Sequence, residues 1–129
     1  MLNDRNFKEG HAGHLCRVAL TPKRIFLADD KERLRPEIEK LKNDPLRRAE
    51  YERLVAGRST AVPANLEKGR WYRMRIDVVG EELSVQLDGR PIARLRSSGI
   101  AHPTKTDFYF AVAGESARFD ELSIRSLAP

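Results

Sequence analysis

The sequence predicts a mainly β fold: an antiparallel β-sandwich in a single domain spanning residues 1–129, interrupted by a charged helical insert at about residues 30–57. Three observations carry this expectation. Apolar and polar residues alternate through residues 71–78 and again through 82–88, the period of strands with one face buried. Asp88-Gly89 is a strong hairpin signal, since both residue types tolerate the positive φ of a tight type I′ turn. Between the early strand-like segments and these later ones, alternation gives way to Leu34, Ile38 and Leu41, spaced by four and three as on one face of a helix.

Taken in order, residues 1–13 read as a loop. His14, Cys16, Val18 and Leu20 then share one face of a strand, with Leu15, Arg17 and Ala19 on the other. Thr21-Pro22-Lys23 supplies a turn into a short return strand at residues 24–27. Asp29-Asp30-Lys31-Glu32-Arg33 opens the insert, and Pro36 marks either a helix start or a break, because proline cannot sit deep inside a helix. Asp44 and Pro45 suit the N-cap and first position of a second helix, Gly57 its C-terminal end, and Tyr51, Leu54 and Val55 its packing face. The Glu, Lys and Arg residues around them read as a solvated surface. Two strands joined at Val79-Gly80-Glu81 follow, then a third at about residues 90–95. Phe108, Phe110 and Val112 define another strand. Gly114-Glu115-Ser116 turns into a last one, where a bulge between Phe119 and Leu122 would bring Ala117, Phe119, Leu122 and Ile124 to one face.

Composition narrows the function classes. The chain is 40% apolar and 33% charged, as in an ordinary globular domain, and its 129 residues leave no room for a second core. No apolar run approaches the ~20 residues that span a bilayer, and no basic segment followed by an apolar stretch opens the chain, so the sequence as given encodes no secretory signal. Cys16 is the only cysteine, which excludes an intrachain disulfide and a cysteine-rich metal site; its apolar-alternating setting suits a buried core thiol. The net charge of +5 is spread among acids and turn residues, with no nucleic-acid motif beside it, so nucleic acid is not an expected partner.

The order Trp71-Tyr72, alternating strand, Gly80, alternating strand, Asp88-Gly89-Arg90-Pro91-Ile92, and finally residues 117–124, resembles the C-terminal strands of concanavalin A-like jelly rolls. More narrowly, it is similar to the 3-keto-disaccharide hydrolase family, formerly a domain of unknown function, common in bacteria that degrade polysaccharides and often exported. The resemblance covers roughly residues 11–127 and is strongest over 71–125. Its motifs are structural, and laminin G-like, pentraxin-like and glucanase modules share the same strand grammar. It implies further strands upstream that this sequence lacks, hence a sandwich incomplete at its N-terminus with an open sheet edge. Either the insert and neighbouring molecules cover that surface, or the chain is the C-terminal part of a longer product. A homo-oligomer closing the edge is the natural consequence.

Candidate chemistry falls in four places. His11 and His14 have a metal-like spacing but no certain third ligand; Asp29 and Asp30 would complete a site only if the return strand brings them near His11, so no metal is assigned and no cofactor is identified. Glu81-Glu82 and Asp120-Glu121 lie in turn-like positions, and no strand carries two alternating glutamates, which disfavours standard retaining glycoside hydrolysis. The loop 99–107 concentrates His102, Lys105 and Asp107, where His102 could serve as a general base and Lys105 could stabilise charge on a sugar oxygen. The plainer reading is a connecting loop. His14, Trp71 and Tyr109 are candidate binding residues; Trp71 has the face to stack on a pyranose or, more plainly, to pack under the insert. Two functions follow: a carbohydrate-associated sandwich that binds or acts, as hydrolase or lyase, on 3-keto sugars, or a non-catalytic protein-interaction or structural module.

Overall fold

A computed structural model describes residues 1–114 and 116–127. It contains strands β1 (Leu2–Asn3), β2 (His14–Thr21), β3 (Arg24–Asp29), β4 (Ser59–Pro63), β5 (Met74–Val79), β6 (Glu82–Leu87), β7 (Arg90–Arg96) and β8 (Asp107–Phe108). Helices α1 (Asp30–Arg33), α2 (Pro36–Lys42) and α3 (Arg48–Val55) lie between β3 and β4. Two antiparallel sheets result, one ordered β4-β3-β2-β1-β8 and the other β5-β6-β7.

The sheets face each other in a sandwich-like arrangement across one apolar cluster. Cys16, Ile25 and Leu27 come from the larger sheet, Leu83, Val85, Leu87 and Leu95 from the smaller, and Ile100 from the turn after β7. Each of the aliphatic side chains contributes about 1.5–3 kcal/mol on leaving water. The period-2 alternation of β6 is what sends Leu83, Val85 and Leu87 inward.

The hairpins form where the sequence places them. Gly80 (φ 57°) turns β5 into β6, and Asp88 (φ 49°) with Gly89 (φ 80°) turns β6 into β7. The Asp88 carboxylate also accepts the Arg73 amide at 2.9 Å, fixing the start of β5 beside that turn.

The insert occupies the expected region. Pro36 stands at the first position of α2, and Ile38 and Leu41 are buried. Asp44 accepts the Leu46 amide at 3.0 Å, and Pro45 opens a short 3-10 turn leading into α3. The packing face of α3 is weaker than its spacing suggests, because Tyr51 and Val55 are half-buried while Leu54 is exposed. On the outer face of the larger sheet, the guanidinium of Arg33 in α1 lies 5.4 Å from the Phe26 ring, with Arg17 at 5.5 Å.

The C-terminal strands depart from the alternation. Pairing stops after Leu2↔Phe108 and Asn3↔Asp107, and the described residues from 109 onward hold no strand. Alternation states a preference for a half-buried strand, but β1 offers two residues to pair with. Phe110, Val112, Phe119, Leu122 and Ile124 are consequently exposed, although Phe110 and Phe119 stack with centroids 4.1 Å apart. The turn expected at Gly114-Glu115-Ser116 includes Glu115, which lies outside the described residues.

Candidate functional site

A cleft of about 320 Å³ opens where β2 begins, lined by Met1, His11, His14, Arg17, Asp30, Leu34 and Glu39. The β2–β3 hairpin builds it. Pairing Thr21↔Arg24 at the turn propagates to Cys16↔Asp29, which sets Asp30 beside the strand start that carries His14. A short 3-10 turn, His11–Gly13, swings His11 to 5.4 Å from the His14 ring. Ala12 and Gly13 both take positive φ there, and a side chain on Gly13 would collide with the Asp4 carbonyl oxygen, so the turn is tied to the loop after β1.

Asn3 decides the state of His14. Its side-chain amide donates to the Ala12 carbonyl at 3.1 Å, which leaves Asn3 Oδ1 facing His14 Nδ1 at 3.1 Å. An acceptor there calls for a proton on Nδ1. His14 Nε2 is then the unprotonated nitrogen, and among the described residues it has no hydrogen-bond partner. Desolvation lowers the His14 pKa below the ordinary imidazole value, against the pull of Asp30, and so favours the neutral ring. Tyr109 completes the group, its hydroxyl 3.3 Å from both His14 Nδ1 and Asn3 Nδ2.

Asp30 is 2% exposed and lies between two guanidinium groups, Arg17 Nε at 3.0 Å from Oδ2 and Arg33 Nη1 at 3.5 Å from Oδ1. The charges are in contact, yet among the described residues Asp30 Oδ1, Arg17 Nε and Arg33 Nη1 make no hydrogen bond. Burial pushes the Asp30 pKa up, with Arg17 and then Arg33 opposing it. Asp30, which lines the cleft, therefore has one carboxylate oxygen sealed from water without a hydrogen bond among the described residues. Among the described residues, no group of three or more His, Cys, Asp or Glu side chains is arranged to hold a metal ion.

His102 and Lys105 meet elsewhere. His102 is largely buried, with Nε2 2.9 Å from Asp4 Oδ2 and Nδ1 3.0 Å from Lys31 Nζ. An ammonium on one side and a carboxylate on the other engage both ring nitrogens. Lys105 Nζ donates to the His102 carbonyl at 2.6 Å, and Thr104 donates its hydroxyl to Asp4. Asp107 pairs with Arg5 at 2.9 Å and accepts from Thr106 at 2.6 Å, on the exposed edge of β8. These contacts tie the loop after β1 to the loop before β8. Trp71 is 62% exposed ahead of β5, not packed under the insert, and does not line the cleft.

The sequence singles out His14 and Tyr109, which the structure brings together, and names Asp29 and Asp30 only as conditional partners of His11 in a metal site; Asp30 lines the cleft with His11, Asp29 instead faces Ser97 and Gly99, and no metal-binding group forms among the described residues. Arg17, Glu39 and Asn3 carried no motif; extending the hairpin register by one residue past Asp29 was the signal available for the Asp30 side of the cleft. No family model, curated protein or solved structure matches this chain.

Proposed function

We propose that this chain is a carbohydrate-associated domain that binds a sugar in the cleft at the start of β2, and that its sheets are layers of a concanavalin A-like jelly roll of the 3-keto-disaccharide hydrolase kind. One observation carries the reading. His14 Nε2, an acceptor with unused capacity, shares a cleft with the Asp30 carboxylate and the Arg17 guanidinium. Sugar hydroxyls are both donors and acceptors, and each of these groups complements one of the two roles. The cleft volume lies at the lower end of small-molecule sites, which run from roughly 300 to 1,000 Å³.

A 3-keto sugar adds a C–H made acidic by the neighbouring carbonyl. A neutral imidazole nitrogen is a suitable base for that proton, and a guanidinium stabilises the enolate oxygen that forms. In this reading His14 and Arg17 take those roles, whereas His102, Lys105 and Asp107 hold the loops around the site. The test is calorimetric titration and turnover with 3-keto-glucosides and a glycan panel, native chain against His14→Ala. Binding or turnover that His14→Ala abolishes supports the proposal. A folded native chain that neither binds nor converts any of them refutes it.

The alternative, a protein-interaction module, draws support from the exposed apolar residues Phe110, Val112, Phe119, Leu122 and Ile124. Their chemistry suits an apolar partner and has no bearing on the cleft.

A further inference from the structure

We infer that two copies of this chain join through their β5 strands, edge to edge and antiparallel, about a two-fold axis at Ile76. The free edges are not alike. Proline and three arginines mark β7, proline ends β4, and β8 is two residues long, all devices that discourage strand addition. β5 reads Met-Arg-Ile-Asp-Val-Val, without proline, lysine or a bulge, and among the described residues pairs on one side only, with β6.

The backbone register gives the geometry. The Asp88 amide donates to the Arg73 carbonyl at 2.8 Å, so Arg73 and Asp88 form a hydrogen-bonded pair. Along the ladder Met74↔Leu87, Arg75↔Gln86, Ile76↔Val85, Asp77↔Ser84, Val78↔Leu83, such pairs alternate. Arg75 and Asp77 therefore direct their N–H and C=O groups to β6, while Met74, Ile76 and Val78 direct theirs to the open edge. A second β5 centred on Ile76 opposes Ile76 to itself and Met74 to Val78. All three positions present free donors and acceptors, giving about six new backbone hydrogen bonds.

Side chains fit the same register. Arg75 falls opposite the second copy's Asp77, and Asp77 opposite its Arg75, both in non-hydrogen-bonded pairs where side chains approach closest. The charges are already poised, Arg75 Nε lying 2.9 Å from Asp77 Oδ2 within one strand on the outer face. On the other face Ile76 is 38% exposed although its β6 neighbour Val85 is buried. Pairing would cover it with its own symmetry mate. Apolar, charged and backbone groups thus all agree on one self-complementary register, which selects a second copy over an unrelated strand.

Sedimentation of the full chain across a micromolar concentration series is expected to show a dimer. Arg75→Asp sets four acids around the axis and Asp77→Arg four arginines, so each variant should self-associate at least ~10-fold more weakly. Mixing the two restores opposite charges, and a heterodimer should form. The charge-swapped double variant R75D/D77R should dimerise like the native chain, and its unchanged melting curve guards against misfolding. A native chain that stays monomeric throughout, which would leave the edge to another protein's strand, overturns the inference. So does a dimer indifferent to the single variants, or a mixture that does not associate.

Discussion

The Gly99 amide donates to Asp29 Oδ2 at 2.9 Å, and a methyl group on Gly99 would stand 2.6 Å from that oxygen and collide with Asp29 Oδ1. Asp29 is wholly buried at the end of β3. It also accepts the Glu32 amide at 3.1 Å, capping α1, and the Ser97 hydroxyl, and it lies 3.7 Å from Arg58 Nη1. One carboxylate thus joins the insert, the approach to β4 and the turn after β7.

Gly99→Ala is accordingly expected to destabilise the fold. Overpacking of this kind costs about 1–3 kcal/mol, with a buried charged hydrogen bond disturbed in addition. The urea midpoint should fall with the m-value unchanged. An unchanged midpoint would mean that the turn at 98–101 moves away freely.

Asp4 predicts the acid limb of stability. Hydrogen bonds from Thr104, His102 and the Asn6 amide hold its pKa down to about 2. The folded pKa lies below the unfolded one, so the associated stability is present above the ordinary carboxylate range and is lost as pH falls through about 2. Asp4→Asn should lower stability at neutral pH and flatten its dependence between ordinary carboxylate pH and strong acid. Chemical denaturation at a series of pH values measures both effects; an equally steep acid limb in the variant would rule out Asp4 as its source.

Cys16 makes the opposite prediction at alkaline pH. It is 1% exposed in the shared core, and desolvation raises its thiol pKa to about 11. Here the folded pKa is above the unfolded one. The stability tied to the neutral thiol is intact below the unfolded value and declines as pH rises through about 11. Labelling by a thiol reagent at pH 8 should track unfolding, with the native protein protected and the thiol accessible in urea. Rapid modification of the native chain would contradict its burial.

What the sequence disclosed follows from which contacts each element needs. β5, β6 and β7 are hairpin neighbours, so alternation, Gly80 and Asp88-Gly89 suffice to define them. α2 likewise starts at Pro36 for a local reason. Residues 110–124 alternate as convincingly as β6, but a strand also needs a neighbour, and the sequence could not show that β8 would find two residues of β1. The site divides in the same way. Asp30 follows from the hairpin register, whereas Asn3 sits in a strand too short to have a period and meets His14 only through the β1–β2 pairing. His102 stood out by residue type, yet only the folded chain puts Asp4 and Lys31 on its two nitrogens.

Asp30 and His14 can be separated as structural and binding groups by substitution. Asp30→Asn keeps the shape and removes the charge between Arg17 and Arg33, and breaking a buried ion pair from one side costs about 3–5 kcal/mol. The absence of aligned hydrogen bonds here argues for the lower end. His14→Gln keeps a polar side chain near Asn3 but offers no imidazole base, so stability should change little, while on the proposed function any turnover of a 3-keto sugar would be lost. Because desolvation lowers the folded His14 pKa, the proposed activity should persist somewhat below the ordinary imidazole range before falling as protonation sets in. A pH–rate profile that breaks at or above the ordinary imidazole value, or that His14→Gln leaves unchanged, would remove His14 from the chemistry. A large loss of melting temperature in His14→Gln with native binding would instead make the Asn3–His14 contact a strut of the fold.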